Sequence, residues 1–323
     1  MTWSLRRHRS KWLRRALLLA VATVCLGSCT LVARHLWSTR GLSKRTLIAQ
    51  GRKRVVYVHV PPGHSKSKAV PLVIALHGNG GSAALLNRGT RYGLTREADA
   101  RGWVLLLPQG IDEAWHDHRP FKQEALAGVD DVAFLTQLID VAQRDYGIDP
   151  EQVFVVGASN GGAMAMTLAI EQSERFRGIA AVVMSLPGIH EAATPQRPIS
   201  VLMLNGTADP VVPFGGGQIL GKRGRVVAST ASLEWWGRQN RCTTSVPLHP
   251  LPDRAPEDET RVYVESREGC AEGTSVTLYR VQGGGHTWPG GVPYAPSAIV
   301  GRTSNDIDAS KVVFDFFASH TKP

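Results

Sequence analysis

No aspartate or glutamate occurs in the first 54 residues of this 323-residue chain, a stretch that holds 13 of its 37 lysines and arginines. Subtracting that stretch leaves 24 basic against 27 acidic residues, so the formal net charge of +10 belongs to the N-terminus and the remainder carries −3. A nucleic-acid-binding domain draws on a basic face with interleaved aromatics, and the remainder has no such surplus. No nucleic-acid partner is expected. Cysteine is scarce too, with four in the chain; Cys25 and Cys29 lie near the N-terminus and only Cys242 and Cys270 in the rest. Neither of the latter sits on a nucleophile-presenting turn. Gly215-Gly216-Gly217 lacks the following Lys-Ser/Thr pair of a phosphate-cradling loop. His116-Asp117-His118 supplies too few ligands for a metal and reads as a solvated loop near the rim of a site. No metal and no cofactor are expected, and no internal repeat is visible.

What is present begins with a targeting signature. A basic stretch to Arg15 precedes the apolar run from Ala16 to Leu26, which has the length of a signal-peptide core. Leu26-Gly27-Ser28-Cys29 approximates a lipobox, in which Cys29 would be diacylated; the rival is an uncleaved anchor from Ala16 to Ala33. Residues 1–33 are therefore expected to be a signal peptide, lipoprotein signal or membrane anchor. Residues 34–54 are expected to be a basic tether near anionic head groups, and 55–323 the catalytic domain. That places the protein outside the cytoplasm, periplasmic, secreted or anchored. In such a compartment Cys242 and Cys270 are expected to form one disulfide, worth about 3 kcal/mol in the chain-entropy picture.

The chemistry is concentrated at Gly157-Ala158-Ser159-Asn160-Gly161, directly after the apolar run Val153-Phe154-Val155-Val156. This is a G-x-S-x-G nucleophile elbow between a buried strand and a helix-forming stretch. A serine on such a turn takes a strained, positive-φ conformation, and side chains two residues away would crowd it. Asp209 follows a second apolar strand, and His286 lies in Gly283-Gly284-Gly285-His286-Thr287-Trp288-Pro289. The order Ser, Asp, His is that of α/β-hydrolases. Upstream, the strand-like Leu72–Leu76 runs into His77-Gly78-Asn79-Gly80-Gly81, a loop of the type that supplies an oxyanion-hole amide. One amide is assigned to Asn160 and the other to Asn79 or its neighbour; losing such a donor typically costs ~3 kcal/mol. His77 is expected to shape that loop by hydrogen bonding. Trp288, and with less support Trp115, are pocket candidates, the alternative for Trp288 being packing beneath the histidine loop. Asp130 and Asp131 precede the serine and are expected to cap a helix.

These segments, together with Gly128-Val129-Asp130-Asp131-Val132 and the run Asn205-Gly206-Thr207-Ala208-Asp209-Pro210, resemble the secreted polyhydroxybutyrate depolymerase and feruloyl esterase-like serine esterases over roughly residues 50–320. The resemblance implies Ser159 as nucleophile, His286 as base and Asp209 as its orienting acid. It also implies an α/β-hydrolase fold acting on hydroxyacid, feruloyl or acetyl-type esters. Polymer-degrading members tend to carry a cysteine where this chain has Asn79, and to append a polymer-binding module. Small or oligomeric soluble esters are thus expected as substrates. The alternatives are an acyltransferase or peptidase on the same fold, or a depolymerase of the solid polyester.

Alternating segments complete the reading: strands at 54–60, 72–76, 103–107, 153–156, 179–184, 201–204 and 276–281, with helices at 130–146, 160–174, around Trp235, and at 307–317. Continuous apolar strands separated by helices predict a mostly parallel sheet covered on both faces.

Overall fold

The computed structural model describes residues 41–322, so the expected targeting segment and Cys29 lie outside the described residues. Strands β1 (Ser43–Ala49), β2 (Arg52–His59) and β3 (Val70–Leu76) lead to helices α1 (Ala83–Gly89) and α2 (Gly93–Arg101). Strand β4 (Val104–Pro108), helix α3 (Asp131–Tyr146), β5 (Ile148–Ala158), α4 (Asn160–Glu171), β6 (Gly178–Val182) and β7 (Ser200–Gly206) follow. The short strands β8 (Gly217–Gln218) and β9 (Arg225–Val226) precede α5 (Ser229–Gln239). The chain then runs through β10 (Thr244–Pro250), β11 (Arg261–Glu268), β12 (Val276–Gln282), α6 (Ser297–Val300) and α7 (Ala309–Ala318).

Ten of these strands form one sheet in the order β1-β2-β4-β3-β5-β6-β7-β12-β11-β10. The central run from β4 to β12 is parallel, while β1, β2, β11 and β10 pair antiparallel on the flanks. Parallel strands need cover on both faces, and period-two alternation supplies it. Leu72, Ile74 and Leu76 enter one core with α3, α4 and α5. Val73 and Ala75 enter the other with α2 and α7. In that second core Phe154 stacks between Trp103, at 5.8 Å, and Phe317, at 4.7 Å between ring centroids. Helix α4, behind the elbow, is buried from Asn160 to Ile170, which explains why its sequence is apolar all round.

Local signals set the ends of α3. The Asp130 carboxylate accepts from the Ala133 amide at its start, and Gly147 at φ 64 closes it. Asp131 is no cap. Its carboxylate, buried, accepts from Arg54 at 2.6 Å, whose guanidinium also lies 3.7 Å over the Phe134 ring. This corrects the expected tether over 41–54, its residues 34–40 lying outside the described residues. Residues 43–54 belong to β1 and β2, Arg54 is a core residue, and the compact unit begins at Gly41. The basic composition hid a two-stranded ribbon because an edge strand can carry charge on its open side.

The segment after α5 also differs from expectation. The proline-containing stretch at 244–250 is strand β10, paired with β11 at the opposite edge of the sheet. Cys242 and Cys270 are joined by the expected disulfide, tying the chain just after α5 to the end of β11. Among the described residues no helix is long and apolar enough to cross a membrane.

Candidate active site

Hydrogen bonds sew the carboxyl ends of the central strands together. The Ser159 amide donates to Val182 O (2.9 Å) and the Val183 amide to Leu204 O (2.8 Å); the Thr207 and Ala208 amides donate to Val281 O and Gly284 O, both at 2.9 Å. Ser159, Asp209 and His286 thus emerge from β5, β7 and β12 on one edge.

Ser159 has φ 54 and ψ −115, a strained conformation for a residue with a side chain. Crowding around it explains the flanking glycines. A Cβ on Gly157 would lie 2.0 Å from Gly161 O, and one on Gly161 would lie 2.3 Å from Leu76 O. Strand, turn and helix are therefore pressed together until only glycine fits.

Asp209 and His286 meet directly. The Asp209 carboxylate accepts from His286 Nδ1 at 2.7 Å, and its other oxygen accepts from the Val211 and Val212 amides at 2.7 and 2.8 Å. Both side chains are buried. With Nδ1 turned to Asp209, Nε2 is the free ring nitrogen, and among the described residues no protein group bonds to it. The His286 amide donates to Val300 O, and Gly285 at that crossing would place a Cβ 2.1 Å from the same carbonyl. The two are brought to one edge, and the Ser159 hydroxyl makes no hydrogen bond to His286 in this arrangement.

The loop after β3 passes over the elbow, where a Cβ on Gly78 would be 3.5 Å from Ser159 Cβ. Gly80 and Gly81 donate their amides to Glu113 O and Gly78 O, which leaves Asn79 as the amide of that trio without an acceptor. The Asn160 amide opens α4, where the first N–H groups have no intrahelical acceptor. The Asn160 side chain is fully engaged: Oδ1 accepts from the Trp115 amide, and Nδ2 donates to Trp115 O and Asp117 Oδ2. His77 behaves as expected. Its Nε2 accepts from the Gly110 amide at 3.0 Å, and its Nδ1 lies 2.8 Å from Gly78 O. Burial lowers its pKa to about 4, partly opposed by the Gly78 hydrogen bond, so it is a neutral brace for the loop.

Two expectations fail here. Trp115 lines no open pocket: it is fully buried and its Nε1 donates to His77 O, bracing the loop after β3 from beneath. Asp117 is not solvated. It is buried, grips Arg119 through both oxygens and accepts from Asn160, while His118 beside it is exposed, so the expected solvated loop holds only in part. No metal-binding group occurs among the described residues. Trp288 is half-buried against the second core and retains some exposed surface. Sequence reasoning missed Arg119 and Tyr294. The adjacency of Asp117 and Arg119 was a usable signal for the first; Tyr294, whose ring lies edge-on 6.5 Å from that of His286, had none.

Known proteins similar to this chain are esterases. The sequence profile described as Esterase PHB depolymerase matches residues 55–214. NocK of Nocardia uniformis subsp. tsuyamanensis, named as an esterase, is 32% identical over 317 residues, covering 92% of this chain and 88% of its own. Feruloyl esterase C of Emericella nidulans is 28% identical, covering 58% and 67%. Among solved structures, the acetyl xylan esterase of Aspergillus awamori superposes with a TM-score of 0.55 at 13% identity, over 86% of this chain and 99% of that one. It shares the α/β-hydrolase fold.

Proposed function

Because the chain belongs to the Esterase PHB depolymerase family and is a carboxylic ester hydrolase, we propose that Ser159, His286 and Asp209 carry its reaction through an acyl-enzyme. Ser159 Oγ attacks the ester carbonyl carbon while His286 Nε2 takes its proton. Asp209 holds the proton on Nδ1 and stabilises the imidazolium. The negative oxygen of the tetrahedral intermediate accepts from the Asn79 and Asn160 amides, fixed donors that need no reorganisation. His286 returns the proton to the leaving alcohol, and the acyl group stays on Ser159. Water, deprotonated by His286, then releases the acid.

The observation that carries this reading is the buried bond between Asp209 and His286, with Nε2 unbonded, on the sheet edge that also presents a strained serine. The substrate class best supported is a small or oligomeric soluble ester of hydroxyacid, feruloyl or acetyl type. The Cys242–Cys270 bond supports export to an oxidising compartment. Ser159→Ala should lower kcat on 4-nitrophenyl butyrate by about a million-fold with the circular dichroism spectrum unchanged. Substantial remaining turnover would reject Ser159 as nucleophile.

A further inference from the structure

Arg223 stands near the tip of the β8–β9 hairpin, half-buried, and among the described residues no carboxylate pairs with its guanidinium. Nearby arginines do find partners: Arg225 with Glu191, Arg119 with Asp117 and Arg280 with Glu265. The hairpin is fastened at two points. The Leu220 amide donates to Val211 O (3.0 Å), in the turn organised by Asp209. On the other side Arg119 Nη1 donates to Arg223 O at 3.3 Å, and Arg119 is gripped by Asp117, which accepts from Asn160 beside Ser159. The tip therefore bridges from the turn behind Asp209 to the loop beside the elbow.

One aromatic ring lies beside the guanidinium. Arg223 Cζ lies 5.5 Å from the centroid of Phe121. Tyr294, which is 69% exposed, stands edge-on to His286. Its partial burial first and then Asp209 push its hydroxyl above the usual tyrosine range, while Arg223 pulls it back, so it feels both charges.

We propose that Arg223 is a specificity-determining residue that receives a carboxylate of the ester substrate, so that esters with a free acid end, such as linear hydroxyacid oligomers, are preferred. This rests on the reading of Ser159 as the reaction centre and names its substrate class. A guanidinium partly stripped of water and lacking an internal counter-ion gains most from an external one, and its planar fork fits a carboxylate. A neutral ester gains nothing from it.

The test compares the linear dimer of 3-hydroxybutyrate with its terminal carboxamide at low ionic strength. Wild type should cleave the acid with kcat/KM about fivefold above the carboxamide, and added salt should shrink that ratio. Arg223→Gln should bring the ratio to about one while hydrolysis of the carboxamide and of 4-nitrophenyl butyrate is unchanged, and Arg223→Lys should restore part of it. Arg119 bonds the backbone carbonyl of residue 223, so these substitutions leave the hairpin's fastening in place. Calorimetric binding of the same pair to Ser159→Ala gives the comparison without turnover. An acid preference that persists in Arg223→Gln, or equal binding of acid and carboxamide to Ser159→Ala, overturns the proposal. Failure of wild type to hydrolyse 4-nitrophenyl butyrate, with the binding difference intact, would overturn the Ser159 reading and leave the role of Arg223 standing.

Discussion

The two halves of the candidate site are built by different means. On the serine side, β3, β5, β6 and α4 are pressed together so closely that carbonyl oxygens occupy the space where side chains would start. On the histidine side, Asp209 and His286 ride on loops that hold one another through backbone hydrogen bonds, with antiparallel β11 and β10 and a disulfide supporting β12 from outside. Packing fixes the first half, and a net of separable bonds fixes the second. The strained member of the site is therefore placed where strain is hardest to relieve. Asp209 and His286, the proposed proton carriers, sit instead on segments joined by hydrogen bonds.

Forcing a side chain into the tight half should have the largest effect. Gly161→Ala drives a methyl group against Leu76 O and His77 O, at 2.3 and 2.6 Å, so a loss of at least about 4 kcal/mol in urea unfolding is expected, with little soluble protein at 37 °C. A loss below 1 kcal/mol would mean that the elbow can relax. The histidine half should give way by less. Replacing Cys242 and Cys270 by serine opens a loop of 28 residues and should cost about 3–4 kcal/mol. The double variant should keep measurable esterase activity at 25 °C, because α5 and β11 remain packed by their own contacts.

Acid sharpens the contrast with the smallest effect. Burial lowers His77, under the oxyanion loop, and His190, bonded to Thr167 on α4, to about 4 from 6.5. Between those values the unfolded chain binds the additional protons, so stability is full above pH 6.5 and falls as pH drops towards 4. Each histidine should contribute a loss of about 2 kcal/mol between pH 7 and pH 5, read from urea unfolding at the two pH values. His190→Gln should flatten the curve by one such share; an unchanged slope would show that His190 is already protonated in the native protein.

The sequence carried the serine half almost completely. Apolar runs of strand length, a glycine-flanked serine and a helix with Asp130 before its first turn are local signals, and each was legible where it stands. Asp209 and His286 were legible by type and order, but their contact depends on loops crossing between strands, which no periodicity encodes. What was not legible lies at the margins of the sheet. Strands β1 and β10 expose most of their side chains, so they show no alternation, and only their partners β2 and β11 make them strands. Asp117 and Arg119 look like surface charges until the fold closes over them, since mutual pairing makes burial tolerable.

Those marginal strands have a further consequence. An open ten-stranded sheet has two rims at which a foreign chain could add itself. One rim of this sheet carries Lys44 and Arg45, and the other carries Pro247 and Pro250, which have no amide proton to offer. Stacking of copies rim to rim is opposed by like charge at one end and by missing donors at the other, so the same residues that made these strands hard to read protect the protein from aggregation.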